Sequence, residues 1–240
     1  MQVVLLRIGI DSGYGGIQGP LFKDGSFEFI PIPDQFGGKG VDSRTYGNTV
    51  GGHGRPLIEY FPDRLRERMR DQPMHVDPDF VTFTYGDPTP PKRSLRQLQE
   101  GDLLVFYAGL EGWHVERKPG LYIIGYFEVK TAGVAEGFRQ NKLKELFAKN
   151  FHVRHSQVFE DQKRRLVLVK GGTGSRLLKK AALISSIGRD RNGKPLKVLS
   201  PTMQKVFGDF GGRVSIQRSP PRCVEGGFVD RAARFVRRLQ

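Results

Sequence analysis

Short apolar runs, separated by glycine, proline and polar residues, occupy much of the chain and predict β-strands. Runs that are apolar almost throughout are typical of buried strands, whereas an alternating run that ends in prolines is typical of an edge strand. The predicted strands cover residues 3–10, 25–33, 80–85, 103–110, 121–129 and 165–170.

Apolar residues spaced three or four positions apart predict helices elsewhere in the chain. Such spacing follows Pro62, Asn141, Ser175 and Phe228. Ser175 is expected to be the N-cap of the third of these helices. Strands and helices together predict the α+β class. Because no internal repeat or evident linker interrupts the chain, we expect one continuous domain over residues 1–240.

Positive charge is concentrated at one end of the chain. The net charge is +14, yet residues 1–160 hold 20 Lys+Arg and 20 Asp+Glu, whereas residues 161–240 hold 19 and 5. A local excess of this kind is expected of a polyanion binder, because each phosphate that a protein neutralises releases condensed counterions. A soluble basic surface without a ligand is the alternative at this point.

Composition also excludes several classes of protein. The single cysteine, Cys223, allows neither an intramolecular disulfide nor a cysteine-rich zinc site, and this favours the cytoplasm. No segment approaches the roughly 20 apolar residues of a membrane-spanning helix, and the first residues lack the pattern of a signal peptide. We therefore predict a soluble, cytoplasmic protein without a membrane partner.

The glycine-rich residues 11–16 follow the first predicted strand and form a candidate ligand loop. Glycines allow backbone N–H groups to approach a phosphate, so Gly13, Gly15 and Gly16 are candidate contacts. Asp11 is a candidate catalytic acid–base. The spacing does not fit the G-x-G-x-x-G dinucleotide fingerprint. A tight turn capped by Asp11 is the alternative.

A second glycine loop, residues 171–175, lies between a predicted strand and a predicted helix. Free N–H groups at the start of that helix, together with Gly174, Ser175 and Arg176, would suit one phosphate. The loop lacks the Gly-Lys-Ser/Thr pattern of a Walker A motif, so hydrolysis of a nucleoside triphosphate is not expected. A plain β–α turn is the alternative.

Further along, Arg213, Gln217 and Arg218 lie near the glycine pair at 211–212. Guanidinium and amide groups suit bidentate contacts with a phosphate or a base edge. Surface ion pairs are the alternative explanation for each arginine.

Three carboxylates, Asp77, Asp79 and Asp87, flank one predicted strand. With Asp11 they would surround a pocket for acid–base catalysis or for a hard metal ion. Asp79 is better explained as a turn residue. Asp77 and Asp87 are catalytic candidates, although a turn explains each of them equally well.

The histidines give only a weak indication of a metal site. His152 and His155 place two imidazoles close together in the chain, but no third ligand is evident beside them. We therefore expect no metal site and assign no cofactor.

Several aromatic residues are candidates for stacking on a flipped or single-stranded base. Alternate positions along a strand must face the core, which accounts for Phe106 and Phe127. Tyr107, Trp113 and Tyr14 are the predicted stacking residues.

Residues 98–129 carry a Gly-Asp turn and two strongly apolar strands, the first over 103–110 and the second over 121–129. This segment resembles the core hairpin of PUA-like folds, including the EVE and ASCH groups. The resemblance implies a PUA-like mixed β-sheet or barrel core over about residues 80–170, with flanking helices and a basic part over 161–240. These folds are associated with RNA binding and with recognition of modified bases.

A second resemblance extends over nearly the whole chain. It rests on residues 9–16, 24–33, 77–78, 84–87, 92–93, 175–178 and 215–218. Together these segments resemble the third nucleotide modification associated domain family. The resemblance implies a role in modifying bases of DNA, or in systems that do so, and adds Lys92 and Arg93 to the candidate phosphate contacts.

These observations predict a protein that binds a DNA base or a nucleotide and helps to modify it. The expected partners are nucleic acid, with DNA favoured, or a nucleotide, and other proteins of a modification system. A non-enzymatic reader of modified bases in DNA or RNA is the alternative, and a structural subunit of a modification complex is a third reading.

Overall fold

The computed structural model describes residues 1–10, 14, 16–36, 43–217 and 220–240. Its strands are β1 (Val3–Arg7), β2 (Gly19–Leu21), β3 (Ile32–Pro33), β4 (Met74–His75), β5 (Thr84–Asp87), β6 (Leu103–Gly112), β7 (Gly120–Val134), β8 (Val167–Gly171), β9 (Arg176–Leu183), β10 (Ser185–Arg189), β11 (Pro195–Leu199) and β12 (Arg222–Cys223). Its helices are α1 (Asp63–Arg70), α2 (Gln140–Phe147), α3 (Phe151–Arg154), α4 (Ser156–Gln162), α5 (Pro201–Phe207) and α6 (Val229–Arg238). Short 3-10 turns cover Leu57–Tyr60, Pro90–Gln97, Ala135–Gly137 and Gly226–Phe228.

A mixed sheet forms the centre of the fold. Its strands follow the order β12-β1-β6-β7-β8-β5, with β2 joined to β6 and β9 joined to β7. β1 runs parallel to β6, while β6, β7, β8 and β5 pair in antiparallel fashion. The α+β class is confirmed. The sheet is not closed, so the core is an open mixed sheet and not a barrel.

The two longest strands explain why the sheet lies at the centre. The first eight residues of β6 and of β7 are all buried, as their continuous apolar runs predict for strands covered on both faces. Phe106 and Phe127 pack edge-to-face at 4.7 Å between their ring centroids. The same core includes Val3 near one end of the chain and Val236 of α6 near the other. Residues near both ends of the chain therefore contribute to one core, and the single continuous domain over residues 1–240 stays a prediction.

Most of the predicted elements are present. β1, β6, β7 and β8 lie on predicted strands, and α1, α2 and α6 on predicted helices. Two of the predicted strands have the wrong bounds. Residues 80–83 form a turn and the strand begins at Thr84, while only Ile32–Pro33 of residues 25–33 is a strand.

The helix predicted after Ser175 is wrong, because this segment is the strand β9. The spacing of its apolar residues fits a helical face, but β7 provides a sheet edge along the same segment. Arg176 pairs with Tyr126 and Leu183 with Tyr122 in antiparallel register. Backbone pairing with that edge satisfies donors and acceptors that would otherwise be buried without partners, and this outweighs local helix propensity.

Within the described part of the chain, none of the helices has the length and apolar character needed to cross a membrane.

Two strand pairings, and the segment that follows β1, bring separate parts of the chain together. β3 pairs with β4, so that Ile32 lies opposite His75. β5 pairs with β8, so that Asp87 lies opposite Val167. The chain leaves β1 at Gly9, whose φ of 79° is a conformation that glycine adopts without strain. These pairings build the walls of the largest cavity described below.

Candidate functional site

A cavity of about 690 Å³ opens between the end of β1, the β3–β4 pair, β5 and α3. Its volume lies within the range of small-molecule and cofactor sites, about 300–1,000 Å³. Five of the residues predicted to act on a ligand line it, and they come from three separate parts of the sequence. They are Tyr14, Asp77, Asp87, Lys92 and Gln217.

Asp77 is the most buried carboxylate of this cavity. Its side chain is only 2% exposed. It accepts hydrogen bonds from the backbone N–H of Gly86, at 2.8 Å to Oδ2 and 3.1 Å to Oδ1, and from the Asn150 amide at 3.3 Å. Burial raises the pKa of Asp77 well above its usual range, despite these hydrogen bonds. The carboxylate therefore favours either a proton or a nearby cation.

His152 lies beside Asp77 and presents a free ring nitrogen to it. Its Nδ1 donates to the Gln162 side-chain oxygen at 2.8 Å, which leaves the unprotonated Nε2 facing Asp77 Oδ2 at 3.7 Å. Nε2 is buried and has no hydrogen-bond partner. Although 3.7 Å would suit an ion pair, burial lowers the pKa of His152 and raises that of Asp77. We therefore regard the two groups as neutral neighbours, because burial penalises both charges.

The position of His152 is set by the turn that precedes α3. Asn150 is fully buried, and its side-chain oxygen accepts from the His152 backbone N–H at 3.1 Å, as an N-cap does. The amide nitrogen of the same side chain reaches Asp77. Asn150 therefore links the carboxylate to the helix that carries the imidazole.

His75, on β4, completes a group of three. The centroids of the His75 and His152 rings are 4.9 Å apart, and the His75 ring lies against Phe151 at 4.0 Å. Burial first, and then the neighbouring imidazoles, hold the pKa of His75 well below its usual range, so the ring is neutral. Its Nε2 is also buried without a hydrogen-bond partner. One ligand atom from each of His75, Asp77 and His152 lies within 4.8 Å of the others, a group that can hold a metal ion.

Sequence reasoning missed this group. The absence of a third ligand beside His152 and His155 was the reason to expect no metal site, and that reason does not hold in the structure. His75 and Asp77 approach His152 from a distant part of the chain. The available signal was the His75-x-Asp77 spacing, which precedes a strand whose residues contact the same cavity.

Asp87 organises a second polar group in the cavity wall. Its Oδ2 accepts from the Tyr85 hydroxyl at 2.9 Å and lies 3.5 Å from the Lys92 ammonium. Its Oδ1 accepts from the Thr89 backbone N–H at 2.7 Å and from the Thr89 hydroxyl. Burial, and then the negative charge of Asp87, raise the pKa of Tyr85 well above its usual range, so the phenol stays a donor. Both oxygens of Asp87 are therefore engaged in holding Lys92, Tyr85 and Thr89.

Other predicted site residues lie elsewhere. Gly16 and Trp113 line a second cavity of about 430 Å³, and Gly174 lines a third of about 640 Å³. Arg176 is exposed, and its guanidinium lies 5.6 Å from the centre of the Tyr126 ring. The remaining two, Arg93 and Arg213, are also exposed.

Two predicted ligand contacts are structural instead. Tyr107 is fully buried, and its hydroxyl donates to the Ile216 carbonyl at 2.9 Å, so its ring has no face available for a base. Ser175 does not cap a helix, since β9 follows it. Its hydroxyl oxygen accepts from the Glu128 backbone N–H at 3.1 Å. The helix N-terminus that was expected to bind a phosphate in this loop is therefore absent.

Four predicted site residues, Asp11, Gly13, Gly15 and Arg218, lie outside the described residues.

Fold and cavity together define an α+β protein with an open mixed sheet and a cavity lined by aromatic and aliphatic side chains together with carboxylates, imidazoles and a lysine. The sequence model of the nucleotide modification associated domain 3 family matches residues 2–226, and the chain belongs to this family. No curated protein and no solved structure matches it. The family association is with nucleotide modification, and the likeness of the β6–β7 hairpin to PUA-like folds stays a prediction.

Proposed function

We propose that the largest cavity binds a nucleobase of DNA, or the corresponding nucleotide, and that the protein takes part in modifying that base. The observation that carries the proposal is the convergence of Tyr14, Asp77, Asp87, Lys92 and Gln217 on one cavity of about 690 Å³. A well-formed cavity in which several polar groups converge is the default candidate for a binding site. Membership of a nucleotide modification associated family supplies the substrate class.

The apolar part of the cavity suits a base. Tyr14, Ile32 and Phe36 line it, and Phe36 is 44% exposed, which makes its ring accessible from solvent. The Tyr14 hydroxyl accepts from the Gln35 amide at 2.8 Å. Stacking of a base on an aromatic side chain contributes about 1–3 kcal/mol and does not require a particular base. Side-chain amides such as those of Gln35 and Gln217 are suited to reading a base edge.

The polar part of the cavity suits a phosphate and a reaction. Arg7 and Lys92 line the same cavity as the apolar side chains of Tyr14, Ile32 and Phe36. A base inside a duplex must be flipped out to enter such a cavity, and basic residues near the entrance hold the flanking backbone while this happens. Asp77, His75 and His152 form a cluster of titratable groups in the lining, and in this proposal they face the base. The catalytic role of Asp11 stays a prediction.

Binding and turnover must be measured separately. Fluorescence anisotropy with single-stranded and double-stranded DNA oligonucleotides gives affinity, and mass spectrometry of the digested nucleosides gives base modification. We expect Tyr14→Ala and Lys92→Ala to weaken binding, and Asp77→Asn and Asp87→Asn to reduce turnover more than binding. Turnover that survives both Asp substitutions would refute their catalytic roles, and tight binding of modified DNA without turnover would instead support a reader.

Salt dependence tests the phosphate contacts. Each phosphate contact makes the decrease of log affinity with log salt concentration steeper by about 0.9. Lys92→Ala should therefore make this slope shallower by about 0.9, the value of one contact. Lys142→Ala is the matched control, because Lys142 is an exposed lysine of α2 that does not line the cavity. Equal slopes for wild type and Lys92→Ala would contradict a phosphate contact at Lys92.

A further inference from the structure

We infer that His75, Asp77 and His152 bind one divalent first-row transition-metal ion, with coordination positions left open toward the cavity. The inference concerns metal binding by the chain alone, so it can fail or succeed independently of the proposed action on DNA. Its basis is the arrangement of three ligand atoms within 4.8 Å of one another in the lining of the largest cavity.

The ligand types favour a transition metal. Imidazole nitrogen suits zinc, iron, nickel and copper, whereas magnesium and calcium prefer shells made of oxygen alone. Two imidazoles and one carboxylate are a set found in catalytic metal sites, which keep at least one position for water or substrate. Structural zinc sites instead close with four protein ligands. The three side chains of this group line a cavity, where further positions are accessible.

The spacing requires only a small adjustment. Two ligands bound to one ion at about 2.1 Å lie roughly 3–3.4 Å apart, for octahedral or tetrahedral angles. Asp77 Oδ2 and His152 Nε2 are already 3.7 Å apart. Side-chain rotations would bring the widest pair, at up to 4.8 Å, to the same spacing.

Groups around the three proposed ligands hold them in place, as the surrounding groups of known metal sites do. A metal-bound histidine usually donates its other ring N–H to an oxygen, which fixes the ring and its tautomer. His152 does this toward Gln162 at 2.8 Å. Gly86 and Asn150 donate to Asp77 in the same way. The rings of Phe36 and Phe151 lie near the two imidazoles and supply an apolar surround.

A purely structural hydrogen-bond network explains the group less well. In such a network the buried ring nitrogens would have donors or acceptors beside them. The Nε2 atoms of His75 and His152 are both buried without a hydrogen-bond partner.

His155 is the nearest competing ligand. Its Nε2 is also buried without a partner, and its ring lies 5.2 Å from that of Phe151. It is outside the group of three ligand atoms. Substitution of His155 therefore distinguishes the inferred three-ligand site from a His152–His155 pair.

Metal binding is measured on the full chain, free of any affinity tag and stripped with a chelator. Titration with Zn²⁺ in competition with a chelating dye gives affinity and stoichiometry, and titration with Co²⁺ gives visible absorption bands that report nitrogen and oxygen ligands. We expect one ion per chain in the wild type. We expect His75→Gln, Asp77→Asn and His152→Gln each to lower affinity by more than about 100-fold, since even loss of a neighbouring orienting group costs about 10–100-fold.

Two control variants and one variant of a residue that orients His152 complete the experiment. His155→Gln and His114→Gln, the latter at an exposed histidine, should bind Zn²⁺ as the wild type does. Gln162→Leu should lower affinity by about 10–100-fold while leaving the stoichiometry at one.

Three outcomes would overturn the inference. They are the absence of saturable binding by the wild type, affinity unchanged in both His75→Gln and Asp77→Asn, and loss of binding in His155→Gln but not in His75→Gln. Asp77→Asn is nearly the same size as wild type, and thermal unfolding with and without Zn²⁺ shows whether it folds. A wild type stabilised by Zn²⁺ beside a folded but unresponsive Asp77→Asn would support the site even if no DNA were bound.

Discussion

Replacing Tyr107 by phenylalanine separates a structural role of this residue from base stacking. The ring is fully buried on β6, and its hydroxyl donates to the Ile216 carbonyl at 2.9 Å. Without the hydroxyl, that carbonyl loses its buried partner, which costs about 1–3 kcal/mol of the free energy of unfolding. For a chain of this length, the midpoint of thermal unfolding should fall by about 2–12 °C.

The same hydroxyl gives a pH dependence with a definite sign. Burial raises the pKa of Tyr107 to about 12 from its ordinary value of 10.0. Because the folded state favours the neutral phenol, this contribution to stability is complete below pH 10 and is lost as the pH rises toward 12. A shift of about two pKa units corresponds to roughly 2–3 kcal/mol. The stability difference between wild type and Tyr107→Phe should therefore shrink across this window.

Urea unfolding followed by far-UV circular dichroism at pH 7, 9, 10 and 11 measures both effects. Tyr14→Phe is the control, because the Tyr14 hydroxyl lies at the cavity and contacts the exposed Gln35, so its loss should change stability by less than about 0.5 kcal/mol. Unchanged stability of Tyr107→Phe at pH 7 would refute the structural role. Because phenylalanine keeps the ring, DNA binding by the folded Tyr107→Phe protein should equal that of the wild type.

Two further predictions concern the core. Phe127→Ala removes a fully buried ring that packs on Phe106 at 4.7 Å, and urea unfolding should show a loss of about 3–5 kcal/mol; a loss below about 1 kcal/mol would contradict the packing. Gly171→Ala places a methyl group 2.3 Å from the Ser175 hydroxyl oxygen and should cost about 1–3 kcal/mol, whereas Gly137→Ala, which meets nothing within 4 Å, should leave the unfolding midpoint almost unchanged.

The central sheet could be predicted because its strands are buried along their length. β6 and β7 carry continuous apolar runs, and such runs are recognised without knowledge of their partners. β9 could not be predicted in this way, since Leu177, Leu178, Ala181 and Ala182 have helical spacing and become a strand only because β7 offers an edge. Tyr107 shows the same limit. Its burial depends on contact with Ile216, more than a hundred residues later.

The candidate site was predictable in part. Asp77 and Asp87 were predicted because carboxylates flanked a strand, and both line the cavity. The imidazoles were harder to place, because nothing local indicates that His152 lies beside Asp77. That contact depends on Asn150, which caps α3 and reaches Asp77 with the same side chain. A polar residue that joins two distant segments has no periodic signal in the sequence.

Charge and cavity are connected through the C-terminal segment. Residues 161–240 carry the whole net charge of +14, and Gln217 and Pro220 from this segment line the cavity. A polyanion bound by the basic segment near these two residues would lie beside the cavity, where the Asp87 carboxylate would repel it. Lys92, 3.5 Å from Asp87, offsets this charge. The inferred metal ion would replace the proton on Asp77 and add positive charge to the cavity.

If that is so, metal should promote binding of DNA as well as occupy its own site. Wild type loaded with Zn²⁺ should bind an oligonucleotide more tightly than the stripped protein, by a factor that falls as salt screens the charges. Asp77→Asn lacks one of the three metal ligands, so its DNA affinity should not respond to Zn²⁺. An equal response of wild type and Asp77→Asn would show that Zn²⁺ acts on DNA binding from a place other than this cavity. The link between the metal site and DNA affinity would then be wrong, even if the protein binds both ligands.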